Sequence, residues 1–547
     1  MLPGKESITV EFKSDKSKLH DSEIFEAVVA FANTDGGDIY LGVENDGSIS
    51  GLHETHKNPV TLSAYIANNT VPPISVRVEV INESEPVIKI SVPKSYGGIA
   101  ATASGKILRR QIKIDGTPQN IPMYPTELST RLSAIRLLDY SAMIVSDASC
   151  DDFDPLETER LRKIILAYDG DKQLLELQDE DLFKALGFAR KIDGKLVPTV
   201  TGLLMIGRND KIEIHIPTHS ATFQVLDGLN VKVNEDFVMP LLASFERINA
   251  YIDVRNPEEE IDMGLFRMSV PAFNKRAIRE AIVNAFSHRD YSRLGRVRVC
   301  ISDESLIIAN PGGFVEGVTI NNLLTVEPYG RNPLLADALK RVGLAEKVGR
   351  GIDRIYEGSL IYGKFPPDYS ASTTTTVSLM IPKCAPDLQL TKIVVNEQSK
   401  NGRPLSINSL LVINALRDTP KSNVYGLSTI LNISETIIRT VLDGAIDSGI
   451  VEAYGSGRGR TYILSRNIYN LRGDAPGYVR QKDIDELRYP ELILSLASSQ
   501  DYISRTDVMN LLHINGPSAY RELKKLSDNG KLEPIYKGRY AKYRLFD

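Results

Sequence analysis

Only three cysteines occur in 547 residues, Cys150, Cys300 and Cys384. Their wide separation excludes paired metal-ligand spacing and a disulfide framework, so a reducing cytoplasm is the simplest expectation. No run approaches the roughly 18 uninterrupted apolar residues of a membrane span, so no membrane partner is expected. The first residues, MLPGKESITVEFK, carry charges where a signal peptide has its apolar core. Low-complexity tracts are missing. So is the GxxxxGK[ST] phosphate loop, which argues against a helicase motor. The chain also lacks the positive excess of a uniformly basic nucleic-acid coat: 65 Lys and Arg stand against 70 Asp and Glu, a net charge of −5.

What is present is globular in character, with 42% hydrophobic and 25% charged residues. The length exceeds what one core can organise, and three to five domains are expected. The small charge asymmetry points to one end. Residues 401–547 hold 20 Lys and Arg against 16 Asp and Glu, whereas the rest hold 45 against 54. That fits a nucleic-acid-binding C-terminal end.

Periodicity predicts an α+β multidomain chain with units at 1–130, 131–385, 386–475 and 476–547. Leu19 to Asn33 has helical spacing, and DIYLGVEND, ISVRVEVI and PVIKISVPK read as strands. A helix and connector are expected over 126–150, then charged helices from Asp154 to Gly187. PTVTGLLMIG and HSATFQVL read as strands, PLLASFERINAYI and NKRAIREAIVNAFSHRDY as helices. GRVRVCISDESLIIANP and SASTTTTVSLMIPK return to strands. Beyond Ala385 short helices and turns occur twice over.

Near the N-terminus, Glu6 and Glu11 precede Lys13, and FANTDGGDIYLGVENDGSISGL follows. On a strand Glu11 and Lys13 share a face. A carboxylate beside a lysine can hold a hard cation and stabilise a phosphoryl transition state, or can simply form a solvated pair. Gly36-Gly37 permits a tight turn or a close approach to phosphate. These residues resemble the AlbA-like domain of Schlafen proteins and many bacterial regulators, over about residues 5–125. The resemblance implies nucleic-acid binding, with Lys13 as a contact. In the Schlafen endoribonucleases three acidic residues form the active site. Two match Glu6 and Glu11, and the third position falls at Glu44 or Asp46; Glu6, Glu11 and Glu44 are then the candidate metal ligands.

In NKRAIREAIVNAFSHRDY, Glu280 and Asn284 lie four apart on one helical face. An acidic residue there can activate water, and an asparagine can hold Mg²⁺ against phosphates. Downstream, ANPGGF brings Asn310, Gly312 and Gly313 to a tight turn, and VGRGIDRI places Gly349 and Gly351 at a helix start, where exposed amides can cradle phosphate. In this order the strings resemble the GHKL-like module related to the C-terminal part of RecG helicase, over about residues 150–385. The resemblance implies an α/β sandwich that binds ATP with Mg²⁺, with Glu280 catalytic and Asn284, Asn310 and the four glycines at the nucleotide. Asn310 stands where GHKL ATPases carry an adenine-reading Asp, so base selectivity is open. His288-Arg289-Asp290 either contacts phosphates or forms a structural ion-pair network.

Residues 404–465 and 488–546 each read as a winged helix. In the first, Arg439 lies on the recognition helix and Arg458 and Arg460 on a Gly/Arg-rich wing. In the second, Lys524, Lys525, Lys537, Arg539 and Lys542 make a basic face with tyrosines interleaved. The first functional expectation is a nucleotide-responsive DNA-binding transcriptional regulator, with a homodimer formed through the middle module. The competing expectation is a metal-dependent Schlafen-like endoribonuclease acting on RNA and gated by that module. A scaffold with a vestigial pocket is the third.

Overall fold

The computed structural model describes the chain apart from residues 1, 82–84, 136, 263–266, 328, 347–348, 420, 456, 458–459, 466–488, 499, 501, 513–515, 537–540 and 547. Four main apolar cores follow one another along it.

The first core forms around the helix Asp21–Ala32, whose residues Ala27 to Ala32 are all buried. It packs on a four-stranded sheet in which Val10–Lys13 runs parallel to Gly37–Leu41, followed by Ile88–Val92 and Arg77–Val80 in antiparallel order. Gly37 must be glycine: its φ is +142°, and a side chain there would collide with the Thr9 carbonyl and the Phe31 ring.

The largest core spans the middle of the chain. Its five-stranded sheet runs Asn230–Phe237, Ala221–Asp227, Val297–Ile301, Ser305–Pro311, Thr376–Pro382, with only the second and third strands parallel. The helices Leu241–Asp253 and Lys275–Ser287 contribute their apolar faces to this core. Asn274 caps the second by accepting from the amides of Arg276 and Ala277.

One expectation is overturned here. PTVTGLLMIG reads as a strand, but Val200–Ile206 is a helix with all seven residues buried. Thr199 accepts from the Gly202 amide at its N-cap. A fully buried apolar run carries no periodicity with which to separate helix from strand. The cap decides.

Beyond the middle core, the helix Leu388–Asn401 leads into two units with the same order of elements. The first has helices Ile407–Asp418, Val424–Leu431 and Glu435–Asp447, then strands Val451–Tyr454 and Thr461–Leu464. The second has helices Tyr489–Ser498, Arg505–Leu512 and Gly516–Asp528, then Leu532–Tyr536 and Lys542–Leu545. In both, a two-residue strand between the first two helices joins the hairpin to make a three-stranded sheet. Among the described residues no helix is long and apolar enough to cross a membrane.

Candidate functional site

The helix Lys275–Ser287 presents Glu280, Asn284 and Ser287 to a cavity of about 340 Å³. The sheet supplies Ile308, Asn310, Val377 and Leu379, and Gly313 closes one corner. Gly349, Arg350 and Gly351 come from the turn into the helix Gly351–Leu360, and Lys340 from the helix Pro333–Arg341. The lining is mixed. Ile308, Tyr369, Val377 and Leu379 give apolar surface suited to a planar base. Asn284, His288, Lys340 and Arg350 give polar groups suited to anionic oxygens, beside the carboxylates Glu327, Glu346 and Asp353. Among the described residues Lys340 has no carboxylate partner, so its charge is free for a ligand.

Glu280 is buried, and burial raises its pKa above the ordinary carboxylate range, against the opposing hydrogen bond from the Glu346 backbone. A carboxylate so placed takes up a proton more readily than an exposed one, and Asn284 one turn away can offer its amide oxygen to a cation. The residues present thus fit a nucleotide with Mg²⁺, which would supply charge neutralisation at the phosphates. Asn310 donates its side-chain amide to the Pro311 carbonyl at 3.2 Å.

Gly312 does not line the cavity. Its amide donates to the Thr375 carbonyl, and its vacant side faces Asp290. The His288-Arg289-Asp290 cluster divides. Arg289 is fully buried and donates to the carbonyls of Thr218, Gly295 and Asp290, so it ties the helix end to the sheet. Asp290 accepts from the Ser292 amide and faces Arg331 at 3.8 Å. His288 alone reaches the cavity, with its pKa lowered to about 4 by burial and by the Arg331 and Lys340 charges, so it is neutral at pH 7.

In the N-terminal unit the three candidate carboxylates are each engaged by a different protein group. Glu6 accepts from the Phe12 amide at 2.9 Å. Glu11 is buried between Lys13, at 2.9 Å, and the fully buried Arg110. Glu44 accepts from the Ser14 hydroxyl at 2.6 Å, which holds its pKa below the ordinary value. Among the described residues no three His, Cys, Asp or Glu side chains gather as a metal site. Nearby stands a group that sequence reasoning missed. His56 bridges Asp15, at 2.9 Å from Nδ1, and Asp21, at 3.0 Å from Nε2. It fastens the loop after the first strand to the loop before the second helix.

The two C-terminal units differ in charge. The helix Glu435–Asp447 carries Arg439 against Glu435, Asp443 and Asp447. Arg439 itself pairs with Glu435 at 2.5 Å. The corresponding helix Gly516–Asp528 carries Arg521, Lys524 and Lys525, all exposed, against Glu522 and Asp528. Arg521 is a basic position that the sequence reading did not single out. Lys542 sits over the Tyr502 ring at 3.5 Å, and Arg460 over Tyr462 at 5.4 Å. Arg458, Lys537 and Arg539 lie outside the described residues.

With this geometry in place, comparison with known families is informative. Residues 6–114 match the family model described as Schlafen, AlbA_2. Residues 295–381 match that described as putative ATP-dependent DNA helicase recG C-terminal. The chain joins a Schlafen AlbA_2 domain to a RecG C-terminal-type domain. The RecG-type match begins after the helix that carries Glu280 and Asn284, so their assignment rests on the cavity geometry. Between the two, residues 133–222 match a domain of unknown function, DUF8451. Among solved structures, the DIP2311 protein from Corynebacterium diphtheriae is 21% identical, covers 85% of this chain and 93% of its own, and has a TM-score of 0.51. The two share a fold. A MarR family transcriptional regulator from Silicibacter pomeroyi is 20% identical over 20% of this chain and 84% of its own, with a TM-score of 0.12. No curated protein matches this chain.

Proposed function

We propose that the chain is a nucleic-acid-binding regulator whose middle module binds ATP with Mg²⁺ in the cavity below the sheet. The observation that carries this reading is the convergence of Glu280, Asn284, Asn310, Gly313, Gly349 and Gly351, drawn from 72 positions of sequence, on one cavity with both apolar and polar lining. In this reading the base lies against Ile308, Tyr369 and Val377, and the phosphates against Asn284, Lys340 and the Gly349–Gly351 turn.

The nucleic acid is held at the two ends of the chain. The AlbA_2 domain is one contact, although Lys13, the residue expected to make it, already pairs with Glu11. The last unit, read as a winged helix, is the other: Arg521, Lys524 and Lys525 share one exposed helix face, which suits a phosphate backbone. The preceding unit has the same element order, but its corresponding helix is net acidic and is a poor partner for phosphate. DNA is the favoured ligand because the reader is a helix of the kind that enters a major groove. In the N-terminal domain Glu11 is committed to Arg110 and Lys13, so this domain is read as a binding surface rather than as a nuclease.

The test is nucleic-acid affinity of the full chain at several salt concentrations, with and without Mg²⁺-ATP. A salt-dependent affinity that changes with ATP supports the reading. Salt-dependent binding that ignores ATP removes the regulatory part of it.

A further inference from the structure

The segment that covers the cavity is held by the modules on either side of it. Val315, Val318, Leu323, Leu324, Val326 and Glu327 all line the cavity and make its cover. Glu316, inside this segment, meets Arg131 at 2.7 Å. The side chains are only 14% and 10% exposed, and neither Glu316 oxygen receives a directed hydrogen bond, so the arginine charge is the carboxylate's counterpart. Arg131 also donates to the Ser95 carbonyl of the AlbA_2 domain at 2.6 Å, and the Glu316 amide donates to the Ala134 carbonyl at 3.4 Å.

On the other side, Asn432 donates its amide to the Asn321 carbonyl at 2.8 Å. Asn432 occupies the turn between the second and third helices of the first C-terminal unit, in the left-handed conformation with φ of 52°. Leu324 is at once a cavity wall and a partner of that unit's core. This gives the unit whose third helix is net acidic a role that needs no phosphate contact.

Resting on the nucleotide reading above, we propose that Arg131 and Asn432 are positioning residues that hold the 315–327 cover over the nucleotide cavity from its two sides. Because these contacts hold the segment against the cavity without a ligand, they pre-organise the bound arrangement. Loosening either one opens the cover, so bound nucleotide leaves faster. By linkage, whatever the AlbA_2 domain or the first C-terminal unit binds alters nucleotide affinity by the same factor as nucleotide alters theirs.

The experiment uses the full chain and compares wild type with Arg131→Glu, Glu316→Arg, the double charge reversal, Arg131→Lys and Asn432→Ala. The readouts are amide hydrogen exchange of residues 315–327 without nucleotide, and the dissociation rate of a fluorescent ATP analogue with Mg²⁺. Each single reversal is expected to raise exchange in the cover and to speed dissociation about tenfold, within the usual span of couplings. The double reversal and Arg131→Lys restore both toward wild type, which a general loss of folding does not do. Asn432→Ala, an exposed-side contact that leaves the charge pair intact, gives a smaller change in the same direction. Unchanged exchange in Arg131→Glu, or a double reversal no better than the singles, overturns the proposal. If the cover loosens as described but wild type binds no nucleotide, the positioning contact stands and the nucleotide reading falls.

Discussion

The carboxylate of Glu280 occupies the space that a side chain at position 351 would need. The helix Gly351–Leu360 lies flush on Lys275–Ser287 here and again at Gly358, where a methyl group would meet the Ala277 Cβ at 2.7 Å. Gly351→Ala must therefore displace Glu280 from the cavity wall, whereas Gly358→Ala only separates the two helices. The first is expected to weaken ATP about tenfold, some 1.4 kcal/mol, with a small change in melting temperature. The second should lower the melting temperature more than the affinity. Calorimetry beside thermal unfolding separates them.

Glu11 and Arg110 form a buried pair, and burial pulls the Arg110 guanidinium below its ordinary pKa. Arg110 also donates to the carbonyls of Ile8 and Ser7 and lies 4.2 Å from the centre of the Phe31 ring. Glu11→Gln leaves that charge without its carboxylate and is expected to destabilise the N-terminal domain by about 3 kcal/mol. Glu44→Gln, at a more open site, should leave unfolding nearly unchanged. The check is the N-terminal unfolding transition in scanning calorimetry. Equal effects of the two substitutions would contradict the assignment of Glu11 to structure.

His219 is buried against Phe286 and Tyr291 and bonds the Met239 carbonyl through Nε2 at 2.9 Å. Burial lowers its pKa from 6.5 to about 4. The unfolded chain takes up a proton between those values that the folded chain refuses. Its contribution is therefore whole above pH 6.5 and is lost as pH falls toward 4, by up to about 3 kcal/mol. His219→Phe keeps the packing, and Ser244 still donates to the Met239 carbonyl. The variant's melting temperature should fall less steeply than that of wild type between pH 6.5 and 4. Parallel curves would contradict this.

Lys524 and Lys525 lie on the exposed face shared with Arg521. Replacing both by Gln is expected to reduce the slope of log affinity against log salt by about two, one per phosphate contact. Arg439→Gln should change the slope little, because Arg439 already pairs with Glu435. Titrations of duplex DNA at four salt concentrations decide between the two helices.

Much of this was legible in the sequence because it is local. Glu280 and Asn284 share a face by helical spacing alone, and Asn274 marks where that helix starts. The alternating strands around Cys300 and Ile307 fall where their pattern places them. What escaped reading depends on distant partners. Arg131 meets Glu316 across 185 positions, and His56 meets Asp15 across 41. No spacing rule reaches that far. Lys340, in the last turn of its helix, reaches the cavity only through the fold. The helix Val200–Ile206 escaped for the opposite reason: burial on every side erased the pattern that would have named it.

The central claim is that the middle cavity binds a nucleotide through the face shared by Glu280 and Asn284. Calorimetric titration of Mg²⁺-ATP into wild type and Asn284→Ala tests it most directly. The account predicts saturable one-site binding to wild type and at least a tenfold loss in the variant, at an unchanged melting temperature. No heat of binding with wild type, or equal binding to both proteins, would contradict it.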